Sequence, residues 1–144
     1  MAALFETARG TVHAWQCDHM GHANVRAFGE FFEEACWQVY NRVGITPSLL
    51  RSGRIHMAAV QQDITYRKEL LAGDVVEVRS GVIEIRDKVL RFVHELRNSE
   101  TGELCGTSVF TVVCLDAEAR RARPFPEEIA ATARALLIDY PAAE

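Results

Sequence analysis

The sequence predicts an α+β fold in which an antiparallel five-stranded sheet wraps around one long central helix. One stretch with helical periodicity, residues 25–43, precedes four successive stretches that have the composition of β-strands. One face of the helix is too apolar and aromatic to lie uncovered. Wrapping the sheet around that face is the simplest way to bury it.

The predicted helix carries apolar residues at the three- and four-residue spacing of a single helical face. Asn24, a favoured N-cap residue, directly precedes this stretch, and Gly44, a favoured residue after a helix end, directly follows it. Both ends are therefore marked independently of the periodicity. The apolar positions are Val25, Phe28, Phe32, Ala35, Cys36, Val39 and Val43.

The four predicted strands are rich in Val, Ile, Thr and aromatic residues, and short turn-type sequences separate them. Their short links favour an antiparallel meander. Apolar residues on both faces of the last two strands predict pairing or face packing with a second subunit. The four stretches are residues 56–67, 75–85, 89–98 and 104–115.

Three smaller features complete the predicted fold. The apolar alternation of residues 75–85 changes phase at Gly81, which predicts a β-bulge there. A fifth strand is expected before the helix, over residues 7–15. A short helix is expected near the C-terminus, after Pro126.

Composition excludes several classes of protein. With 144 residues, of which 49% are hydrophobic, residues 1–144 are interpreted as a single domain. A net charge of −4 and scattered basic residues argue against a nucleic-acid partner. The sequence shows no signal-peptide pattern and no run of the ~18 continuous apolar residues that a membrane-spanning helix needs. We therefore expect a cytoplasmic protein without membrane association. The four cysteines lack CxxC spacing and are expected to be reduced.

The stretch QCDHMGHANV, residues 16–25, places reactive side chains directly before the helix. Asp18 is a candidate base or nucleophile for acyl transfer, a reaction that also requires hydrogen-bond donors beside the carbonyl oxygen. The helix N-terminus offers such donors, because its first N–H groups lack partners within the helix and carry the positive end of its dipole. Gly21 permits a tight turn and a close approach to a ligand.

The loop Asp18-His19-Met20-Gly21-His22-Ala23-Asn24 resembles that of the hotdog-fold thioesterases of the 4-hydroxybenzoyl-CoA thioesterase type. A second block, Tyr66-Arg67-Lys68-Glu69-Leu70 with Gly73-Asp74, is similar to the same family, as is Leu115-Asp116. The resemblance spans residues 12–126. It implies a hotdog fold and hydrolysis of a small or medium acyl-CoA to free acid and coenzyme A.

The resemblance also implies roles for individual residues. Asp18 would be general base or nucleophile, the Val25 N–H would bind the oxyanion, and His22 would orient the loop or contact the thioester. No metal or organic cofactor is implied, since coenzyme A is part of the substrate. The family further implies a homodimer or homotetramer with sites at the subunit interface.

Five residues are predicted to contact the substrate. Asn24 and Gly21 border the oxyanion site, while Gln61, or its neighbour Gln62, would approach from the partner subunit. Arg67 is a candidate for the phosphates of coenzyme A. Phe28 occupies a position where many relatives have Tyr, which affects acyl specificity more than catalysis. Gly29, within the helix, is compatible with close packing against a strand or with room for a substrate tail.

Other interpretations of these residues remain open. Asp18 suits a turn or cap, and His94 suits a hydrogen-bonded place in the core. A metal site at Cys17, His19 and His22 lacks a recognised zinc spacing. Two alternative functions are a hotdog enoyl-CoA hydratase or dehydratase and a non-catalytic acyl-CoA binding module. The acyl group, and the choice between coenzyme A and an acyl-carrier protein, are left open.

Overall fold

The computed structural model describes residues 2–141, which form one helix-centred α+β unit. A single turn of 3₁₀ helix, Ala14–Gln16, lies between the first strand and the long helix. In chain order the other elements are β1 (Phe5–Thr11), α1 (Val25–Val43), α2 (Pro47–Ser52), β2 (His56–Tyr66), β3 (Val75–Ile85), β4 (Val89–Asn98), β5 (Leu104–Asp116), β6 (Arg121–Ala122) and α3 (Glu127–Ala135).

The central helix α1 has the predicted bounds and both predicted caps. The Asn24 side-chain oxygen accepts a hydrogen bond from the Ala27 N–H at 3.2 Å, which satisfies one donor of the first turn. Gly44 ends the helix at φ 98°, in the left-handed region that favours glycine. The helix prediction is confirmed because local periodicity and local capping agree.

The sheet is entirely antiparallel, with the order β1-β3-β4-β5-β2 and the short β6 beside β5. The predicted sheet wrapped around a helix is therefore confirmed, but the four-strand meander is wrong for β2. That strand pairs with β5 along its whole length, and only β3, β4 and β5 form a meander. Residues 67–74 cross the open end of the curved sheet with Leu70 fully buried, and so carry the chain from one edge towards the other.

Two smaller predictions are adjusted by the structure. The bulge in β3 falls between Val82 and Glu84, just after the predicted Gly81. A Cβ atom on Gly81 would lie 2.5 Å from the Cδ1 atom of Ile138, so the Ile138 side chain packs closely against this glycine. The first strand ends at Thr11, earlier than predicted, because the chain turns into the 3₁₀ helix.

The concave face of the sheet holds α1 between two apolar clusters. One cluster surrounds the first half of the helix, including Phe28 and Phe32, and the other surrounds its second half, including Val39. Buried polar side chains cross the sheet from β1 to β5: Thr7, Ser80, His94 and Ser108.

The convex face of β4 is partly covered by the C-terminal segment of the same chain. Val93 and Glu95 are buried on this face, and the Tyr140 hydroxyl donates to the Glu95 carboxylate at 2.7 Å. This cover accounts for part of the two-faced apolar pattern that the sequence attributed to a second subunit. Among the described residues, no helix is long and apolar enough to cross a membrane.

Candidate active site

The loop before α1 is a short, hydrogen-bonded hairpin that holds Asp18 in place. Cys17 and Ala23 form an antiparallel bridge, and the Asp18 N–H donates to the His22 carbonyl oxygen at 3.2 Å. The turn closes with the Gly21 N–H donating to the Asp18 carbonyl oxygen at 2.9 Å, and Gly21 adopts φ 88°. A side chain at Gly21 would therefore strain the turn.

The carboxylate of Asp18 is half-buried and has one occupied oxygen. Its Oδ1 accepts from the Met20 N–H at 2.9 Å, which is the hydrogen bond of an Asx turn. Within residues 2–141, no donor is hydrogen-bonded to Oδ2. The turn interpretation of Asp18 is therefore correct for one oxygen, while the other remains free to take a proton.

The first N–H groups of α1 open onto the same space. The Asn24 side chain occupies the Ala27 N–H, and the Asn24 N–H itself donates to the Gln16 carbonyl oxygen at 3.0 Å. Among the described residues, the Val25 N–H has no hydrogen-bond partner. A free N–H at the positive end of the helix dipole is suited to bind an oxyanion.

A cavity of about 370 Å³ joins Asp18 to the start of the helix. One wall comes from the loop and α1, and the other from the end of β2 and the segment that follows it. Six of the eight predicted site residues line this cavity, whereas Gly21 and Gln61 do not. The lining residues are Asp18, His22, Ala23, Asn24, Val25, Phe28, Tyr66, Arg67, Lys68 and Glu69.

Arg67 lines this cavity from the segment that follows β2. The backbone N–H groups of Arg67 and Lys68 both donate to the Cys105 carbonyl oxygen, at 2.8 and 3.1 Å, which fixes the start of this segment. Lys68 forms an ion pair with Glu103 at 3.1 Å. Since the ammonium of Lys68 is already paired, the Arg67 guanidinium is the better candidate for an anionic part of a ligand.

His22 is held between the loop and the segment after β2. Its Nδ1 donates to the Ala23 carbonyl oxygen at 3.1 Å, and its Nε2 lies 3.6 Å from a carboxylate oxygen of Glu69. These contacts fix the ring and connect the two walls of the cavity. They suit a residue that orients the loop, which is one of the two roles predicted for His22.

Two aromatic rings form the apolar part of the cavity. Phe28 from α1 and Tyr66 from the end of β2 meet edge to face, with ring centroids 5.2 Å apart. Phe28 also lies against Gly106 of β5, where an added Cβ atom would come within 3.2 Å of the ring. Phe28, the aromatic residue that α1 places in the cavity, has no hydroxyl group. Tyr66 therefore brings a phenol hydroxyl to this cavity from β2 instead.

The sequence did not identify Tyr66 and Glu69 as site residues. Both belong to the second block of family resemblance, and that block was the available signal. Their contact with the loop depends on the crossing of residues 67–74, which the predicted meander did not include.

Gln61 lies on the outer face of β2, away from this cavity. Its side-chain amide donates to the Asp63 carboxylate at 3.2 Å, on the exposed side of the sheet. The neighbouring Gln62 faces inward instead and donates to the buried Ser108 hydroxyl at 3.1 Å. The role predicted for either residue involves a second subunit and stays a prediction.

The remaining candidate groups lie elsewhere. His94 is fully buried, and its Nδ1 is 2.6 Å from the Ser80 hydroxyl oxygen, which confirms the core interpretation. All four cysteines are free thiols in the structure. Within residues 2–141, no group of three His, Cys, Asp or Glu side chains is arranged to hold a metal ion.

Fold and cavity together define a hotdog-type thioesterase architecture, with a curved antiparallel sheet around a helix whose N-terminus faces a carboxylate. The model of the thioesterase-like superfamily matches residues 12–132. The chain belongs to this superfamily. A comparison with curated proteins finds no significant match.

Solved structures with the same fold cover nearly the whole chain. A hypothetical protein from Staphylococcus aureus, solved in complex with CoA, is 21% identical with a TM-score of 0.86, and the match covers 99% of this chain and 92% of that chain. A predicted thioesterase from Bacillus stearothermophilus is 20% identical with a TM-score of 0.84, over 96% of this chain and 100% of that chain.

A third similar structure is the 1,4-dihydroxy-2-naphthoyl-CoA thioesterase from Synechocystis. It is 16% identical with a TM-score of 0.80, and the match covers 92% of this chain and 96% of that chain. At these identities the likeness is one of fold. The predicted hotdog fold is confirmed.

Proposed function

We propose that this protein is an acyl-CoA thioesterase that hydrolyses small or medium acyl-CoA thioesters to the free acid and coenzyme A. The observation that carries the proposal is the shared cavity of the Asp18 carboxylate and the unpaired Val25 N–H. Hydrolysis of a thioester requires both groups, one to activate the attacking oxygen and one to bind the oxyanion. Membership of the thioesterase-like superfamily supports the same reaction class.

In the proposed mechanism, Asp18 Oδ2 is the general base. It takes a proton from a water molecule as the water oxygen bonds to the carbonyl carbon. The Val25 N–H donates to the oxyanion, a contribution of about 3 to 4 kcal/mol for one such donor in other enzymes. When the carbon–sulfur bond breaks, the proton on Asp18 passes to the leaving thiolate.

A second mechanism uses the same residues. Asp18 attacks the carbonyl carbon directly, the carbon–sulfur bond breaks to release the coenzyme A thiolate, and a mixed anhydride forms. Water then hydrolyses the anhydride to the free acid and the Asp18 carboxylate, and the proton released is taken up by the thiolate. We favour the general base, the role in which Asp18 Oδ2, which the Asx turn leaves without a hydrogen bond, takes a proton from water. His22 acts in both mechanisms by fixing the loop through Ala23 and Glu69.

The proposed substrate is a coenzyme A thioester, with Arg67 contacting a phosphate of the carrier. The structural neighbour solved in complex with CoA supports this choice over an acyl-carrier protein. Phe28 and Tyr66 contact the acyl group next to the thioester. We also propose that the protein is of the 4-hydroxybenzoyl-CoA thioesterase type. The reaction requires no metal or organic cofactor, since coenzyme A is part of the substrate.

The experiment that tests the proposal is free-thiol release from a panel of short, long, branched and aromatic acyl-CoAs. We expect the natural protein to release thiol and Asp18→Asn, a nearly isosteric change, to lose at least about a hundredfold in turnover. Asp63→Asn, in an exposed carboxylate on β2, is the matched control and should retain activity. Asp18→Asn should keep the fold and the oligomeric state.

The other outcomes identify the alternatives. Loss of enoyl-CoA absorbance without thiol release indicates a hydratase. Binding of acyl-CoA without turnover, unchanged in Asp18→Asn, indicates a binding module. Equal thiol release by the natural protein and Asp18→Asn would exclude Asp18 as the catalytic residue.

A further inference from the structure

Gln16 carries a buried amide side chain that lies outside the active-site cavity. The residue is 9% exposed and precedes Asp18 by two positions. It lines a separate pocket of about 260 Å³ between β1, the 3₁₀ helix and α1. Burying an amide is costly unless its polar atoms are hydrogen-bonded. The partners of Gln16 therefore indicate what this side chain does.

Both polar atoms of the Gln16 side chain are used. Its Oε1 accepts a hydrogen bond from the His13 N–H at 2.8 Å, and its Nε2 donates to Glu30 Oε2 at 3.2 Å. The first bond closes the 3₁₀ turn before the Asp18 loop, whereas the second reaches α1. A hydrogen bond to a carboxylate is stronger than one between neutral groups. The side chain thus ties the start of the loop to the helix.

The backbone of Gln16 connects it to the other arm of the loop hairpin. Its carbonyl oxygen accepts from the Asn24 N–H at 3.0 Å, directly before Val25. One arm of the hairpin carries Asp18, and the other arm leads into α1. We call the three bonds from Gln16 to His13, Asn24 and Glu30 the Gln16 clamp.

Glu30 holds α1 in the clamp from the side away from the substrate. It follows Val25 by five residues, which places the two about 140° apart around the helix. Accordingly, Val25 lines the active-site cavity, while Glu30 lines the separate pocket together with Gln16. The clamp can therefore fix the helix and the loop relative to each other without contacting an acyl-CoA.

We propose that Gln16 is a positioning residue for hydrolysis, and that its bond to Glu30 holds the Asp18 carboxylate in register with the Val25 N–H. The proposal rests on the proposed thioesterase function and adds two residues to it. The base and the oxyanion donor must meet at one carbonyl group, and a misplacement of about 1 Å can cost about a hundredfold in rate. Loosening the clamp lowers kcat and leaves KM unchanged, because the groups that contact the substrate remain.

A reciprocal exchange of the two side chains tests the clamp. Gln16→Glu keeps an acceptor for the His13 N–H but sets two carboxylates against each other, so kcat for thiol release should fall at least about tenfold with little change in KM. The double variant Gln16→Glu/Glu30→Gln restores the bond with donor and acceptor exchanged. Its kcat should return to within about threefold of that of the natural protein.

A second double variant is the matched control. Glu34 lies one turn after Glu30 and lines the same pocket, but Gln16 donates to Glu30. Gln16→Glu/Glu34→Gln has the same net charge as the exchanged pair and should stay as slow as Gln16→Glu. Rescue by the change at Glu30 alone distinguishes a specific bond from a general effect of charge.

Amide hydrogen exchange, followed by NMR, gives a readout that does not depend on activity. The Asp18 and Asn24 N–H groups, which join the two arms of the hairpin, should exchange faster in Gln16→Glu and return towards the natural rates in the exchanged pair. The Gly44 N–H, at the other end of α1, should keep its rate in every variant. An equal increase at Gly44 would indicate general destabilisation and would overturn the proposal.

The outcomes separate the clamp from the thioesterase function. If the natural protein releases thiol and Gln16→Glu keeps its kcat, or raises KM alone, the positioning role is wrong and the thioesterase function stands. An exchanged pair that folds with the natural Tm but stays as slow as Gln16→Glu also overturns the positioning role. If hydrogen exchange responds as expected but the natural protein hydrolyses no acyl-CoA, the clamp holds the loop and the thioesterase function fails.

Discussion

His94 shows how strongly a single buried side chain departs from its behaviour in water. Its Nδ1 is 2.6 Å from the Ser80 hydroxyl oxygen, and its ring stacks on Phe32 with centroids 6.0 Å apart. Within the described residues, its Nε2 has no hydrogen-bond partner. Burial among these groups lowers the pKa of His94 to about 3, so the ring stays neutral in the folded protein.

This shift predicts a loss of stability in mild acid. More than about one pH unit above 6.5, His94 is neutral in both folded and unfolded chains and contributes almost no pH dependence. Between about 6.5 and 3, the unfolded chain binds a proton that the folded chain does not. The free energy of unfolding should therefore fall as the pH falls, by up to about 1.4 kcal/mol per pH unit from this residue.

Urea unfolding of the natural protein and His94→Gln at pH 7 and pH 5 measures this contribution. His94→Gln should be less stable at pH 7 but should lose less stability between the two pH values. His56→Gln, at an exposed histidine of β2, is the control and should keep the natural slope. Equal slopes for the natural protein and His94→Gln would contradict the assignment.

At the scale of the element, the N-terminus of α1 combines a structural and a proposed catalytic role. Asn24 caps the helix through Ala27, and the adjacent Val25 N–H is the proposed oxyanion donor. The cap residue can be changed in two different ways, by removing the hydrogen-bond acceptor or by keeping the acceptor and adding a negative charge. The two changes separate stability from activity.

Asn24→Ala removes the cap and should lower the free energy of unfolding by about 1 kcal/mol. Asn24→Asp keeps an acceptor and places a favourable negative charge at the helix N-terminus, so stability should be retained. The same charge opposes an oxyanion next to it, so turnover by Asn24→Asp should fall.

Unfolding curves and thiol release on the three proteins check both expectations. Thr46→Ala removes the equivalent cap of α2, which lies outside the active-site cavity, and is the control for the effect of cap loss alone. Full activity in Asn24→Asp would argue against an oxyanion at the start of α1.

At the scale of the whole molecule, β2 is an 11-residue edge strand with β5 on one side and no strand of the described chain on the other. Val60, at a bulge in this strand, is 59% exposed. A long edge with an exposed apolar side chain favours pairing with another strand. The sequence attributed the second subunit to residues 89–98 and 104–115, which lie inside the sheet. We propose that the predicted homodimer forms instead through the edge of β2.

Val60→Lys should shift the protein from oligomer to monomer in size-exclusion chromatography with light scattering, because a charge opposes strand pairing at this edge. Val75→Lys is the matched control. Val75 is 52% exposed, but it lies on β3, which is already paired with β1 on one side and β4 on the other. A dimer that persists in Val60→Lys would indicate another interface.

Much of this molecule follows from its sequence alone. The bounds of α1, the four long strands after it within one residue at each end, and the loop that carries Asp18 were all predicted. These features depend on interactions between residues close in the chain, such as the Asn24 cap, the Asx turn at Asp18 and the periodicity of apolar side chains.

Other features were decided only by the tertiary structure. The pairing of β2 with β5 and the position of Tyr66 and Glu69 beside the loop were not predicted. Each depends on contacts between residues far apart in the chain, and on how strongly the sheet curves around the helix. Periodicity and turn residues determine which segments become strands, whereas packing around α1 determines which strands become neighbours.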